Sequence, residues 1–310
     1  MADISVGSAV GAGFGLIRRK PLAVLAWGLI EGIGLAVFLA AYAVMMVNMI
    51  PALVANASGA QPTDAQASQL IAGMLAGEGG IFLAVIAMLG LRVIVTTAVW
   101  RAVLHPERGA WAYLRVGMAE MFIVLLLIGA QFAANLVMLP LLPFLFVIGA
   151  LVAFHQFIAA FIVGVLMIIA LIAAIIYFEL RFALLGPMIV DDGKFHFAEG
   201  WRLTKGRVGS LFGVGLGLVA LALGAEIVIG LLVLIVGGAL LYVVAGGAAP
   251  LQAFMEHPTP DFVVKLWPLA VLWTVLAVPI SGCLSAIMSA PWARAYRDLA
   301  PGVPEAQTFA

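Results

Sequence analysis

The sequence predicts an all-α membrane protein with six transmembrane helices. Of its 310 residues, 65% are hydrophobic and only 10% are charged, whereas soluble domains carry about 25% charged residues. Six apolar stretches reach the roughly 20 residues that a helix needs to cross the hydrocarbon core of a bilayer. The Lys and Arg residues fall almost entirely between these stretches. Together these observations predict a bundle of membrane-spanning helices joined by polar bends.

The N-terminal segment predicts a short helix that lies on the inner membrane surface and docks against protein. Gly7, Gly11 and Gly15 recur every four residues, and Gly13 lies between them. Four-residue spacing forms a stripe that a neighbouring helix can approach closely. The basic run 18–20 precedes an apolar stretch much longer than the 7–15 residues or so of a signal-peptide core. We therefore expect the first span to be retained.

The six spans follow from the apolar stretches. Pro21 suits the first turn of the first span, where its missing N–H costs nothing, and Pro279 should kink the last. Two apolar pieces, 141–154 and 237–249, are too short to cross alone. They are expected to be extensions of long tilted helices, or interfacial or re-entrant segments. The predicted spans are 22–49, 81–104, 118–139, 157–183, 208–236 and 267–290.

Polar loops are predicted at the outer ends of the spans. Residues 50–80 form the longest of these loops, rich in Asn, Gln, Ser, Asp and Gly. Within it, residues 64–75 are expected to form an amphipathic helix on the outer surface. Residues 250–261 form a second polar loop.

Basic bends are predicted at the inner ends. In the bend 105–117, Trp111, Leu114 and Arg115 are typical of an interfacial helix, with the aromatic ring at headgroup level and the cation in water. The central bend lies within 179–217 and contains a turn, a short amphipathic stretch and several basic residues. Arg181 is expected to pair with another charge at this end, such as Glu120.

The distribution of positive charge predicts the orientation. All but two of the 15 basic residues fall in the terminal segments and in the two bends. The exceptions are Arg92, within a span, and Lys265, on the opposite side. By the positive-inside rule, both termini and both bends are expected to be cytoplasmic.

Three segments share one plan, in which a weak amphipathic helix and a basic residue precede an outgoing and a returning span. This plan predicts a single membrane domain, 1–299, built from repeats 1–104, 105–190 and 191–299, with a disordered cytoplasmic tail at 300–310. Three unrelated hairpins with similar inner interfaces would produce the same pattern. A true repeat would place three hairpins around a pseudo-threefold axis, with room for a central crevice.

Charged residues inside spans are the strongest candidates for function, because each costs about 2.5–3.5 kcal/mol at the bilayer centre. Glu31 lies eleven residues beyond Lys20 and Arg92 lies nine residues before Arg101, so both are about 14–16 Å deep. They are predicted to form a pair, either in a polar crevice that binds a headgroup or relays protons, or as a structural ion pair. Glu226 is expected near the outer boundary.

The inner rim is predicted to contact lipid. Arg181, Arg202, Lys205 and Arg207 lie in the central bend, and a basic residue near an anionic membrane surface is worth about 1 kcal/mol. Anionic headgroups at the cytoplasmic face are therefore the expected partners.

The overall composition excludes several function classes. The 15 basic and 15 acidic residues give no net charge. The sequence therefore lacks the surplus of positive charge that would indicate a nucleic-acid partner. The single cysteine, Cys283, excludes an internal disulfide and a cysteine-based metal site. No histidine pair has metal-ligand spacing, and the nearest cluster (Asp192, His196 and Glu199) is also explained by a solvated turn. We therefore expect no metal, no cofactor and no enzymatic activity.

Two stretches carry a resemblance to a known family. They are Arg181 with GPMIVDDG (186–193) and EGWRLTKG (199–206), and AYRDL (295–299). Both resemble the membrane domain of some bacterial glycerophosphoryl diester phosphodiesterases and its stand-alone six-span relatives. The soluble phosphodiesterase domain is absent from this sequence, so the resemblance does not imply that activity. It implies a bacterial inner-membrane protein that deals with lipid or amphiphilic molecules.

Three functional hypotheses follow. The first is a non-enzymatic inner-membrane protein that binds or passes a lipid-like or amphiphilic molecule. The second is a scaffold that docks protein partners, or further copies of itself, through Gly-rich helix faces. The third is a proton-coupled transporter of small molecules.

Overall fold

The computed structural model describes residues 4–57, 64–109, 111–138, 141–256 and 265–300. Within these ranges the chain is mostly helical and contains no strand. The helices are α1 (Val6–Arg19), α2 (Pro21–Ala57), α3 (Asp64–Leu104), α4 (Met118–Met138), α5 (Leu141–Ala153), α6 (Phe157–Phe182), α7 (Leu185–Asp192), α8 (Phe197–Leu203), α9 (Val208–Leu232), α10 (Gly238–Ala245), α11 (Ala248–Glu256) and α12 (Trp267–Leu299).

Six helical segments are long and apolar enough to cross a membrane, which confirms the predicted fold class and number of spans. The protein is therefore a multi-pass membrane protein. The segments are Pro21–Val47, Ile71–Leu104, Trp111–Phe132, Phe157–Asp192, Val208–Ala245 and Trp267–Leu299.

The bends of the chain meet at one end of the bundle, which we call the basic end. Lys20, at the end of α1, lies with its Nζ 5.9 Å from the ring centroid of Tyr113. His105, after α3, contacts Asp191 of α7 at 3.1 Å, and Tyr296 of α12 contacts the same carboxylate. The two basic bends and the end of α12 therefore share a side, as the charge pattern predicts.

The prediction of an outer loop at residues 50–80 is wrong. Helix α2 continues to Ala57 and α3 begins at Asp64, so residues 64–75 are the first turns of α3 and not a separate surface helix. This segment contains Ala, Leu and Met, which are strong helix formers. Propagation from an existing helix also avoids the cost of a new nucleus. Residues 58–63 lie outside the described residues.

The two short apolar pieces extend the spans. Ile148 of α5 packs against Gly164 of α6 across the turn at 154–156. Helices α5 and α6 are antiparallel, and α6 leads toward the basic end. Helix α5 therefore runs away from the basic end, in the same direction as α4, and extends it. Helix α10 continues α9 through one π-helical turn, Val233–Gly237.

Two further boundaries differ from the expected ones. The predicted polar loop at 250–261 begins with helix α11, which ends at Glu256, and residues 257–264 lie outside the described residues. Helix α12 passes through Pro279 and Pro291 and ends at Leu299. The turns after Pro291 stay helical because Ala293, Ala295 and Leu299 are buried against the other helices. The predicted tail lies outside the described residues from 301 onwards.

The core is concentrated at the basic end, where α1, α2, α3 and α12 pack together. Gly28 of α2 and Gly282 of α12 make this packing possible, because a methyl group at either would overlap the backbone of the opposite helix. Trp27, beside Gly28, is fully buried. Away from the basic end, large apolar side chains on α6, α9 and α10 remain exposed.

The glycine stripe on α1 does not face the bundle. Gly13 is the residue that packs against the backbone of α12 at Ala286 and Ile287. A methyl group at Gly7, Gly11 or Gly15 would meet no atom within 4 Å. Docking of α1 therefore uses the face that carries Gly13, and the predicted face stays open.

Candidate functional site

A polar cluster lies inside the membrane-spanning region where α2, α3 and α12 meet. The Ser285 hydroxyl of α12 donates a hydrogen bond to Glu31 Oε1 of α2 at 2.6 Å. Both residues are half-buried. The close approach of α2 and α12 at Gly28 and Gly282 allows this contact, since it brings the two helix backbones together.

Arg92 adds a positive charge at the same level. It lies nine residues from Arg101, whereas Ser285 lies eleven residues from Tyr296, so both are about 14–16 Å from the basic end. Arg92 is near enough to Glu31 to act on its charge, but within the described chain the two side chains form no direct ion pair. The predicted pair is therefore a polar cluster in which Ser285, not Arg92, holds the carboxylate.

The Arg92 side chain lies on the surface of the bundle. It follows a stripe of exposed apolar residues on α3, formed by Phe82 (65% exposed), Ile86 (51%) and Leu89 (51%). Residues three and four apart are neighbours on a helix surface, so the stripe runs along the middle of α3 and ends at the guanidinium. We call Phe82, Ile86, Leu89 and Arg92 the α3 stripe.

Arg181 has a different environment from the one predicted. Its guanidinium lies between the rings of Tyr177 and Trp201, at 5.2 and 4.8 Å from their centroids. It also donates to the Tyr177 hydroxyl and to Thr204 Oγ1, which is fully buried. Arg181 therefore joins α6 to α8, and it does not pair with Glu120.

The other predicted rim residues lie at the surface. Arg202 and Lys205 are exposed, and Arg207 is half-buried at the start of α9. Glu226 is exposed on α9.

The bend after α3 is a left-handed turn and not the predicted interfacial helix. Trp111, Ala112 and Tyr113 have φ angles of 29°, 59° and 62°. The turn points its carbonyl groups inward, where Trp27 Nε1 donates to Ala112 O at 2.8 Å and Arg101 donates to Tyr113 O at 3.4 Å. These two hydrogen bonds replace those that an interfacial helix would make.

Arg101 also forms an ion pair with Glu120, at the start of α4. The side chains are only 13% and 6% exposed, so the pair is buried. The second carboxylate oxygen of Glu120 accepts from the Gly117 N–H at 2.8 Å, which caps the first turn of α4. Glu120 thereby ties α3, the bend and α4 together.

Three residues at the basic end form a hydrogen-bonded chain that the sequence reasoning missed. Asp191 accepts from the Tyr296 hydroxyl at 3.0 Å and contacts His105 Nε2 at 3.1 Å. Arg297 donates to Val103 O at 3.2 Å beside them. Asp191 lies in one of the two stretches that carry the family resemblance, and Tyr296 lies in the other. Their occurrence in these two stretches was the one feature of the sequence that could have suggested a contact between them.

The Asp192, His196 and Glu199 set was the nearest candidate for a metal site in the sequence. Among the described residues, no group of three or more His, Cys, Asp and Glu side chains is placed to hold an ion. His196 lies 3.4 Å from Asp192 across the bend between α7 and α8, and no third ligand joins them among the described residues.

Comparison with known proteins adds no identification. Neither a protein-family model, nor a curated protein, nor a solved structure matches the chain.

Proposed function

We propose that the chain is a non-enzymatic protein of the bacterial inner membrane that binds or passes a lipid-like or amphiphilic molecule. The observation that carries the proposal is the α3 stripe, an apolar path on the bundle surface that ends at a cation in mid-span. An amphiphile needs both features, since its tail is apolar and its headgroup is polar.

The distribution of packing supports this proposal. The buried core is concentrated at the basic end, whereas large apolar side chains on α3, α6 and α9 remain exposed farther away. A loosely packed region of this kind can admit an apolar tail without breaking the core. The half-buried Glu31 and Ser285 add polar atoms near the level of Arg92.

The orientation and the lipid contacts belong to the same proposal. The concentration of Lys and Arg at the basic end supports a cytoplasmic location for that end and for both termini, by the positive-inside rule. Arg202, Lys205 and Arg207 are then positioned to meet anionic headgroups of the inner leaflet. Arg181 is not part of this set, because Tyr177, Trp201 and Thr204 already surround it.

Photocrosslinking of the purified chain tests the proposal. An amphiphile with a diazirine in its tail should label the α3 stripe saturably, and the unlabelled amphiphile should compete. The matched control is the α2 stripe of Leu29, Ile33 and Val37, which is exposed to a similar degree (54%, 54% and 46%) but does not end at a cation. Labelling that does not saturate, or that treats both stripes alike, would contradict the proposal.

A second function is favoured by one observation on α1. The open face at Gly7, Gly11 and Gly15 suits close approach of another helix, as in a scaffold that docks a protein partner or a second copy of the chain. Replacing Gly11 with Leu should abolish such an association in crosslinking experiments and leave amphiphile labelling unchanged. Association that survives the replacement would exclude this face.

A further inference from the structure

We infer that the amphiphile carries an anionic headgroup, a phosphate, sulfate or carboxylate, and that Arg92 binds it. This inference rests on the proposed function and deepens it by naming the class of ligand. The inference depends on the position of the Arg92 guanidinium, which lies at the end of the α3 stripe that is nearer the basic end.

Among the described residues, no side chain bonds directly to the Arg92 guanidinium, and Glu31 acts on it only at a distance. In the described residues its guanidinium makes no hydrogen bond and no ion pair, although it lies in mid-span, where an isolated cation is unfavourable. The nearby carboxylate, Glu31, is held toward α12 by the Ser285 hydroxyl at 2.6 Å. The N–H donors of Arg92 are therefore available to a ligand, whereas the neighbouring Glu31 carboxylate is held by the Ser285 hydroxyl.

The chemistry of the guanidinium selects the headgroup. Arginine presents five N–H donors in a planar fork that binds two oxygens of a phosphate or carboxylate at once. Such a fork has no acceptor for an ammonium group and repels its charge, and a neutral hydroxyl can accept one of its hydrogen bonds but cannot neutralise the charge. An anion is the ligand that both neutralises the charge and satisfies the donors.

The stripe sets the direction of the ligand. Phe82 lies ten residues before Arg92 on α3, which corresponds to about 15 Å along the helix. With its headgroup at Arg92, the molecule extends its tail along Leu89, Ile86 and Phe82 toward the far end of the bundle. The headgroup then lies deeper than those of the surrounding leaflet, which distinguishes a bound molecule from bulk lipid.

Binding measurements on the full-length chain in a neutral detergent test the inference. The probes are phosphatidylglycerol, a diacylglycerol with the same tails, and inorganic phosphate. The unmodified chain should bind phosphatidylglycerol saturably and more tightly than diacylglycerol, and inorganic phosphate should compete poorly because it lacks a tail. Arg92→Gln should weaken phosphatidylglycerol binding about tenfold or more, as expected for the loss of a charged hydrogen-bonding partner, and should leave diacylglycerol binding unchanged.

Two variants serve as controls. Arg92→Lys keeps the charge but loses the planar fork, so it should lose less affinity than Arg92→Gln, and unchanged diacylglycerol binding by Arg92→Gln shows that its loss is not a folding defect. Arg202→Gln removes an exposed cation outside the stripe and should have little effect. Equal binding of phosphatidylglycerol by Arg92→Gln and the unmodified chain would overturn the inference, as would an equal loss in Arg202→Gln. If the unmodified chain binds neither phosphatidylglycerol nor diacylglycerol, the proposed function itself fails.

Discussion

Tyr296 donates a hydrogen bond to Asp191 at 3.0 Å, joining the end of α12 to the end of α7 across 105 residues of sequence. His105 contacts the same carboxylate from the end of α3. One aspartate thus connects three segments that the membrane spans would otherwise separate. This chain of contacts fixes the basic end, on which the positions of α2, α3 and α12 depend.

Removing the hydroxyl of Tyr296 should weaken this connection. Tyr296→Phe loses one buried hydrogen bond to a charged group and should lower the free energy of unfolding by about 1.5–3 kcal/mol. Unfolding in mixed micelles of increasing SDS content measures the change. Tyr42→Phe, at a residue that is 43% exposed, should have no measurable effect, and an equal effect of the two changes would argue against the connection.

The packing of α7 against α3 depends on the absence of a side chain at Gly186. A methyl group there would overlap the ring of Trp100, whose Nε1 donates to Ser289 O at 3.0 Å. Gly186→Ala should therefore destabilise the protein by about 1–3 kcal/mol, as overpacking does in other cores. Gly224→Ala is the control, because no atom lies within 4 Å of a methyl group at that position. A neutral Gly186→Ala variant would contradict this packing.

The contact between α2 and α12 should also be sensitive to one methyl group. In Gly282→Ala, the new Cβ would overlap the carbonyl group of Val24, so the helices must separate and the hydrogen bond from Ser285 to Glu31 must lengthen. We expect a loss of about 1–3 kcal/mol in the free energy of unfolding. Gly90→Ala lies in open space on α3 and should be neutral or slightly stabilising, because alanine favours a helix. A stabilised Gly282→Ala variant would show that the two backbones are farther apart.

The buried ion pair of Arg101 and Glu120 should make the effects of replacing these two residues non-additive. Glu120→Ala leaves a buried guanidinium without its partner and should cost about 3–5 kcal/mol. Replacing both residues with Met removes both charges and should cost less than the sum of the two single Met replacements. A double-mutant cycle on the unfolding free energy measures the difference. Additive effects would mean that the two charges do not interact.

The large-scale architecture was predictable because it depends on average composition. Six apolar stretches and the position of the basic residues are sufficient to count the spans and to place the bends at one end. Helix ends were less predictable, since α2 and α3 extend beyond the hydrocarbon length through segments that include Pro51 and Gly73, although Pro and Gly disfavour a helix. The hydropathy pattern contains no signal for such extensions.

The details of the site depend on helix rotation and on distant contacts, which a single sequence does not contain. The glycine spacing on α1 indicated a face for close packing, but Gly13 and not the regular stripe meets α12. The depths of Glu31 and Arg92 were predicted from residue counts. The role of Ser285 as the partner of Glu31 was not, because it joins residues 254 apart in the chain. The left-handed turn at Trp111 was also missed, since none of its residues is a glycine.

A density map of the chain in a lipid nanodisc containing phosphatidylglycerol would show whether Arg92 binds a lipid headgroup. We expect elongated density along Phe82, Ile86 and Leu89 that ends within hydrogen-bonding distance of the Arg92 guanidinium. A protein side chain bound to Arg92, or a lipid whose headgroup lies at the Phe82 end of the stripe, would contradict it.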